Sequence, residues 1–478
     1  MERVIKLQTD APSFFSDICE VIRLFKPKAE ITLADNADLV HTHTAENGEW
    51  KDTWRMDGRE ACHFSKAAAG DELYVKRMYK RAVKTALFLL MREETGVNPP
   101  WGSLTGIRPT RLAYEARDIG MNAEEAVKWL KDEFFVCDDR ARLLEEILEQ
   151  QKGIVDVPDD EYDVYISIPF CVTRCSYCSF SSGTIGDGKL VDPYIRALLT
   201  EMEAMSKFLG HMKPRAVYVG GGTPTSITAW QLNEVLQQAA WLFPGAVEFT
   251  VEAGRPDTID RDKLAVIKNA NATRISVNPQ TFRDKTLDII GRRHTSEDTV
   301  RAYLLAREMG FDDINMDIIA ALPGEGMDAF SDTLGKCVEL SPESVTVHSL
   351  AIKHSSKLNE KRYEQSDSAL AGQMTDEARR RLTSSGYRPY YLYRQKYMAG
   401  NLENVGYAKP GRACLYNIGN MEETARVLAL GAGAITKWLF PAKRRIERAA
   451  NLKSIEQYIA RTDEMIARKK ALIGGHDA

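Results

Sequence analysis

From about residue 160 the chain repeats one unit six times: a short β-branched run, a loop holding Gly or Pro, and a stretch of helical period. The runs are DVYISI (163–168), AVYVG (216–220), VEFTV (247–251), TRISV (273–277), DINMDII (313–319) and SVTVHSL (344–350). Strands separated by crossovers of helix length lie parallel, so the series predicts an α/β fold built on a parallel sheet. Such a series can form an open doubly wound sheet or a full or partial barrel, and in either case ligands gather at the carboxyl ends of the strands. The polar and glycine-rich motifs fall where that rule puts them. CVTRCSYC follows the first run, GGTPT the second, EAGRP the third, NPQTF the fourth and ALPGE the fifth.

The flanks read differently. Residues 1–158 begin with mixed patterning, then a helix near 72–94, the turn-rich NPPWGSLTGIRPT (98–110) and further helices. The expected division is an N-terminal α/β accessory domain over 1–158, the βα series over 159–385 and a small C-terminal domain over 386–478, where KRRIER (443–448) reads as a basic surface helix. Lys76, Arg77, Lys80, Arg81 and Lys84 fall on one helical face opposite Tyr79, Val83 and Leu87 and read as a solvated face, with a nucleic-acid surface as the alternative. His41, His43 and His63 read as loop histidines, with a metal site as the alternative. A formal net charge of −4 gives no sign of a nucleic-acid or membrane partner. The N-terminal MERVIKLQTD lacks a signal pattern and no apolar run is long enough to span a bilayer, so a cytoplasmic location is expected.

In that reducing compartment, three cysteines crowded at 171, 175 and 178 argue for metal or catalysis over disulfides. Thiolates suit zinc and iron–sulfur clusters, and both ordinarily take four protein ligands. Three cysteines leave one metal position for an exogenous chelate, such as the amine and carboxylate of an amino acid. Structural zinc completed by a distant histidine, and cysteines buried as small hydrophobes, are the other readings. Cys19, Cys62, Cys137, Cys337 and Cys414 stand singly and read mostly as buried hydrophobes.

The spacing C-x3-C-x2-C after the first strand resembles the radical S-adenosylmethionine (SAM) superfamily, which implies a partial (β/α)6 barrel over about 160–385. YISIPFCVTRCSYCSF, VGGGTPTS, RISVNPQTF, IGRRHT and MDIIAALPGE resemble the oxygen-independent coproporphyrinogen III oxidase family. PWGSLTGIRPT, VHSLAIK, YYLYRQK and ENVGYAKPG are similar to its long coproporphyrinogen dehydrogenase branch, so the resemblance spans nearly the whole chain. It implies that Cys171, Cys175 and Cys178 ligate a 4Fe-4S cluster and, with Tyr165, form the catalytic set. It further implies that Tyr165, Tyr177, Gly221, Gly222, Thr223, Glu252, Gln280, Arg292, Asp317 and Ala351 contact SAM. The reaction implied is oxidative decarboxylation of two propionates of coproporphyrinogen III to protoporphyrinogen IX in heme biosynthesis, fed by a low-potential donor such as a flavodoxin or ferredoxin. Neither a membrane nor nucleic acid is an expected partner. Arg388, Arg394 and Lys396 among Tyr387, Tyr390, Tyr391 and Tyr393 are candidates for the substrate carboxylates, the alternative being an ordinary amphipathic strand. Arg292 also reads as a solvated charge beside Arg293, and Asp317 as a buried turn cap.

Three positions depart from the relatives. Phe180 stands where the best-characterised oxidase branch has a fourth cysteine, as it does in the heme chaperone branch. The His-Asn-x-x-Tyr-Trp segment of those chaperones here reads Tyr416, Asn417, Ile418, Gly419, Asn420, Met421, and Ser167 replaces a histidine before Ile-Pro-Phe-Cys, where it is expected to tune the substrate side of the cluster. The alternative function is therefore a heme-binding, chaperone-type radical SAM protein without oxidase turnover.

Overall fold

The structure, a computed structural model, describes residues 4–105, 108–178, 180, 182–352, 368–395, 402–440 and 445–475. The chain forms two compact units, whose boundary falls after Glu145; Arg394, Gln395 and Leu402 belong to the first.

The first unit carries a five-stranded sheet, β1 (Ile5–Thr9), β2 (Ile31–Leu33), β3 (Leu39–Glu46), β4 (Glu49–Met56) and β5 (Arg59–Lys66), in the order β2-β1-β3-β4-β5. Against it lie α1 (Phe15–Phe25) and α2 (Glu72–Thr95), followed by α3 (Pro109–Asp118), α4 (Ala123–Phe134) and the start of α5 (Asp138–Gln150). Ile18 and Ile22 of α1 and Val83, Leu87 and Leu90 of α2 share one core with Leu7, Leu39 and Trp54. The Asp71 carboxylate accepts from the Tyr74 amide and caps the start of α2. Two expectations are corrected here. Lys84 is buried and does not belong to a solvated face. His41 and His43 sit on β3, not in a loop, and both meet the Asp52 Oδ1 at 3.0 Å. Among the described residues no three His, Cys, Asp or Glu side chains are grouped to hold a metal ion.

The second unit holds an eleven-stranded sheet. Its centre is β6 (Glu161–Ile168), β9 (Lys213–Gly221), β10 (Glu248–Gly254), β11 (Arg274–Val277), β12 (Ile314–Ala320) and β13 (Ser344–Ser349), parallel and laid side by side in chain order. The short β7 (Phe170–Cys171) and β8 (Gly183–Thr184) pair apart from it. The crossovers are α6 (Val191–Phe208), α7 (Ala229–Leu242), α8 (Arg261–Asn269), α9 (Asp284–Ile289) with α10 (Ser296–Glu308), and α11 (Met327–Leu340). This is the expected (β/α)6 series, left open and not closed into a barrel.

After α12 (Ser368–Ser384), the C-terminal segment supplies both edges of the same sheet. β14 (Arg388–Tyr393) and β15 (Asn404–Ala408) extend it beyond β13, with β15 antiparallel to that strand. Past α13 (Leu415–Glu422), β16 (Val427–Leu430) lies parallel to β6 and is followed outward by β17 (Ile435–Phe440) and β18 (Arg445–Ala450). The basic run expected as a helix is thus the strand β18, paired from Ile435↔Ala450 to Phe440↔Arg445; ladder pairing with β17 overrides its helix-favouring composition. Lys443 and Arg444 lie outside the described residues. Among the described residues no helix is long and apolar enough to cross a membrane.

The amino ends of the parallel strands are joined by buried charges. Arg215 forks onto Asp163 at 2.9 and 2.7 Å, and Arg274 bridges Glu248 at 2.7 Å and Asp313 at 3.0 Å. The same groups hold the segment before α13. Arg215 donates to the Leu415 carbonyl and Arg274 to that of Arg412, while Glu248 accepts from the amides of Leu415 and Tyr416. Removing one partner of such a network strands the others without compensation. Arg274→Met is expected to lower stability by about 3–5 kcal/mol in urea unfolding, and a loss under about 1 kcal/mol would show that the carboxylates find other partners.

Candidate functional site

β6 turns its aliphatic Val164, Ile166 and Ile168 into the core and leaves Tyr165 and Ser167 on the alternate face. Cys171 follows at once, and its short strand pairs with β8, folding the cysteine segment back over the sheet end. The Ser176 amide donates to the Ile290 carbonyl at 2.9 Å, fixing the far side of the loop. All three thiols are free.

Hydrogen-bond donors converge on the sulfurs. Thr223 Oγ1 lies 3.6 Å from Cys171 Sγ, and Arg255 Nη1 lies 3.8 Å from Cys175 Sγ. Arg255 also donates to the Thr173 carbonyl and hydroxyl at 3.1 and 2.8 Å, while its other nitrogens grip Asp257. Arg292 donates to the Asn278 carbonyl at 2.6 Å, and its charge is favoured by the neighbouring Tyr177 and Cys175. Burial raises the Cys178 thiol, opposed by a backbone hydrogen bond from Phe180. Donors of this kind favour thiolates and tune a bound iron–sulfur centre. Three thiols on one loop, with Thr223 and Arg255 donating toward two of the sulfurs, are a donor set that suits a 4Fe-4S cluster.

The glycines admit this arrangement. A Cβ at Gly222 would lie 2.5 Å from the Phe170 carbonyl oxygen and 3.0 Å from Cys171 Sγ, and Gly221 adopts φ +113° with Ser167 Oγ 2.9 Å from where its Cβ would be. Gly222 and Thr223 donate to the carbonyls of Ile168 and Phe170. Glu252 accepts from Tyr218 Oη at 2.5 Å. Burial pushes its carboxyl up to about 7, with the Tyr218 hydrogen bond opposing and Asp317 adding to the rise. Burial opposes ionisation of Asp317 too, but His348, Asn315 and Thr346 outweigh it and hold that carboxyl below its ordinary value. Gln280 has a left-handed backbone, φ +67°, and is locked to β12 through Asp317 and Ile319.

The structure therefore brings Cys171, Gly221, Gly222, Thr223 and Glu252 into one group, Cys175, Tyr177 and Arg292 into a second, and Gln280 with Asp317 into a third. Tyr177 packs on the cluster that contains Leu350, and Ala351 follows half-buried at the end of β13. Tyr165 stacks with Tyr218 and with Tyr416, ring centroids 6.3 and 6.1 Å apart. Arg292 is buried whereas Arg293 is exposed, so the solvated reading is corrected. Asp317 caps no turn; it faces Asn315 at 2.8 Å and His348 at 3.8 Å. Ser167 donates to the Ala432 carbonyl, and Phe180 is exposed.

The aromatic and basic cluster is corrected as well. Arg394 is buried, donating to the Leu104 carbonyl and lying over Trp101, while Tyr387, Tyr390 and Tyr391 are core residues. Arg388 is exposed, and Lys396 lies outside the described residues. Arg255, His348 and the stacking of Tyr416 were missed from the sequence. Only the Arg in EAGRP carried a signal, as a charge just past a strand end with Asp257 two residues on.

An open (β/α)6 sheet with three unbridged cysteines after its first strand defines a radical SAM protein, and residues 165–337 match the Radical SAM superfamily. The chain is 37% identical over 477 residues to the oxygen-independent coproporphyrinogen-III oxidase-like protein HemZ of Bacillus subtilis strain 168, covering 96% of this chain and 94% of that one. It is 27% identical over 283 residues to the heme chaperone HemW of Escherichia coli strain K12, covering 59% and 71%. The solved coproporphyrinogen III oxidase HemN of Escherichia coli shares its fold with a TM-score of 0.54 at 21% identity, covering 68% of this chain and 73% of that one. The chain belongs to the oxygen-independent coproporphyrinogen-III oxidase-like family of radical SAM enzymes. The cofactors of that superfamily are a 4Fe-4S cluster and SAM.

Two outcomes test this geometry. Gly222→Ala is expected to cost about 1–3 kcal/mol in unfolding experiments, because the backbone of Phe170 cannot yield as a side chain can; a neutral result would mean the loop relaxes freely. Because the folded Glu252 carboxyl titrates above its ordinary 4.5, the native state holds a proton that the unfolded chain has released, and stability falls as pH rises from about 4.5 to about 7. Glu252→Gln removes that slope, so its midpoint should gain on the wild type across this window in cofactor-free protein, and parallel profiles would refute the assignment.

Proposed function

We propose that the protein is an oxygen-independent coproporphyrinogen III oxidase that converts two propionates to vinyl groups. In this reading Cys171, Cys175 and Cys178 would hold a 4Fe-4S cluster beside the SAM site. When bound, the cluster and SAM would supply the one-electron radical chemistry that oxidative decarboxylation of a propionate requires.

The residues of this chain bind, orient and exclude water. Thr223 and Arg255 donate toward the sulfurs, and the Arg292 charge lies beside Cys175. Gly221 and Gly222 present backbone without side chains, and Glu252 offers a carboxyl with a raised affinity for protons to an ammonium or hydroxyl. Asp317 stays ionised between Asn315 and His348, as suits a hydroxyl-binding acceptor. Tyr165 walls the same interior, and Tyr177, Gln280 and Ala351 complete the SAM contacts in this proposal.

The observation that favours oxidase over chaperone is Tyr416. It stands where the chaperone branch carries its heme-handling histidine, and its ring is buried at 4.6 Å from Tyr218 and 6.1 Å from Tyr165. The imidazole of that branch is absent here, and although a tyrosine can ligate heme, this phenol ring is taken up by an aromatic stack. The alternative draws on Phe180 and on the likeness to a heme chaperone.

Anaerobically reconstituted protein with SAM, a strong reductant and coproporphyrinogen III is expected to release 5′-deoxyadenosine in step with decarboxylated porphyrin, read by mass spectrometry. Deoxyadenosine without porphyrin product, together with stoichiometric heme binding, would give the chaperone reading instead. Cys175→Ala should lose iron and all SAM cleavage while keeping the wild-type circular dichroism spectrum, and residual deoxyadenosine would remove Cys175 from the ligand set.

A further inference from the structure

The first unit carries a cavity of about 240 Å³ that the oxidase reading does not use. It opens between α2 and α3, and Ser103 and Leu104 of the PWGSLTGIRPT motif form one wall. Leu104, Leu112 and Phe134 give it an apolar side. Arg77, Lys80, Arg81, Lys84 and Arg111 give it a cationic one, with Glu115 the lone carboxylate in the lining.

That carboxylate is stretched among three guanidiniums, at 3.5 Å from Arg77, 3.4 Å from Arg81 and 3.5 Å from Arg111. Lys80 faces Asp17 at 3.2 Å. Five cations outnumber the three carboxylates that face them, Glu115, Asp17 and Glu20. Lys84 is 5% exposed, and its ammonium donates to the neutral Thr105 hydroxyl at 2.5 Å with no carboxylate paired to it among the described residues. Burial pushes it down to about 8. Arg81 Nε is also buried without a hydrogen-bond partner. Asp17 and Glu20 favour the Lys84 charge from a distance but neither pairs with it, so the ammonium stays costly at a helix position flanked by Val83 and core residues, and a cavity beside it gives an anion room to pair with it directly. Guanidiniums and an ammonium around one space suit a phosphate or carboxylate head. The volume lies below the roughly 300–1,000 Å³ of drug-sized ligand sites, which excludes a tetrapyrrole.

We propose that this cavity binds a small, multiply charged anion with an apolar portion, its head meeting Lys84 and Arg81. Phosphate esters and dicarboxylates share that chemistry. Calorimetric titration of the full-length protein at low salt with phenyl phosphate, phenylmalonate and phenol is expected to show saturable binding of a dianion and none of phenol, the tighter dianion naming the head group. Lys84→Met should weaken that binding ~tenfold or more while raising the thermal midpoint of the ligand-free protein, since an uncompensated buried charge is gone. Arg77→Gln, at the half-exposed rim, should weaken binding without changing the midpoint. Absence of saturable binding by either dianion, or affinity unchanged in both variants, overturns the site. So does a lowered Lys84→Met midpoint combined with unchanged binding by Arg77→Gln, which would make Lys84 a purely structural cation.

Discussion

The amino ends of β6, β9, β10, β11 and β12 are tied by side chains of alternating sign, Asp163, Arg215, Glu248, Arg274 and Asp313, all buried or nearly so. Each arginine is planar and forked, so it joins a carboxylate on a neighbouring strand and still reaches a carbonyl of the 412–415 segment. Charges in such surroundings are stable only as a complete set. The network therefore couples strand register at one end of the sheet to the placement of residues near the end of the chain. Glu248, by accepting the first amides of α13, also aims Tyr416 into the interior.

With the amino ends held, the carboxyl ends are free to carry loops. Tyr165, Tyr218 and Tyr416 stack together, with Tyr218 donating to Glu252, while Asp317 meets His348 and His348 meets Tyr393. An all-aliphatic interior would pack more tightly but could neither orient a charged cofactor nor hold two carboxyls in opposite protonation regimes. Glu252 and Asp317 differ because burial of the first is opposed mainly by one phenol and deepened by the Asp317 charge, whereas burial of the second is outweighed by an imidazole and polar side chains.

Much of this site was legible before any coordinates. The strand runs place CVTRCSYC, GGTPT and DINMDII on one rim, because parallel strands joined by helices have no other way to lie. What stayed hidden depended on burial. Arg292 and Arg293 are adjacent and identical in type, yet one turns inward onto Cys175 and the other outward. Arg394 looked available to a substrate carboxylate but lies over Trp101. Lys84 has the same helical spacing as exposed neighbours, and only the turn at Ser103 and Leu104 covers it. KRRIER has helical composition, but its described residues, Arg445, Ile446, Glu447 and Arg448, pair with strand β17.

By itself the sequence determined the (β/α)6 order, the rim on which chemistry collects, and the three thiols that define the superfamily. Each of these follows from local periodicity or from spacing within a few residues. The tertiary structure alone decided which donors face those thiols, where the C-terminal strands join the sheet, and which cations are solvated. Those are contacts between residues tens to hundreds of positions apart, such as Arg255 with Cys175 or Gln151 with Glu422, and chain periodicity carries no record of them. Burial then converts the same side chain from a solvated charge into a ligand-positioning one, because desolvation is a property of the packed neighbourhood and not of the residue.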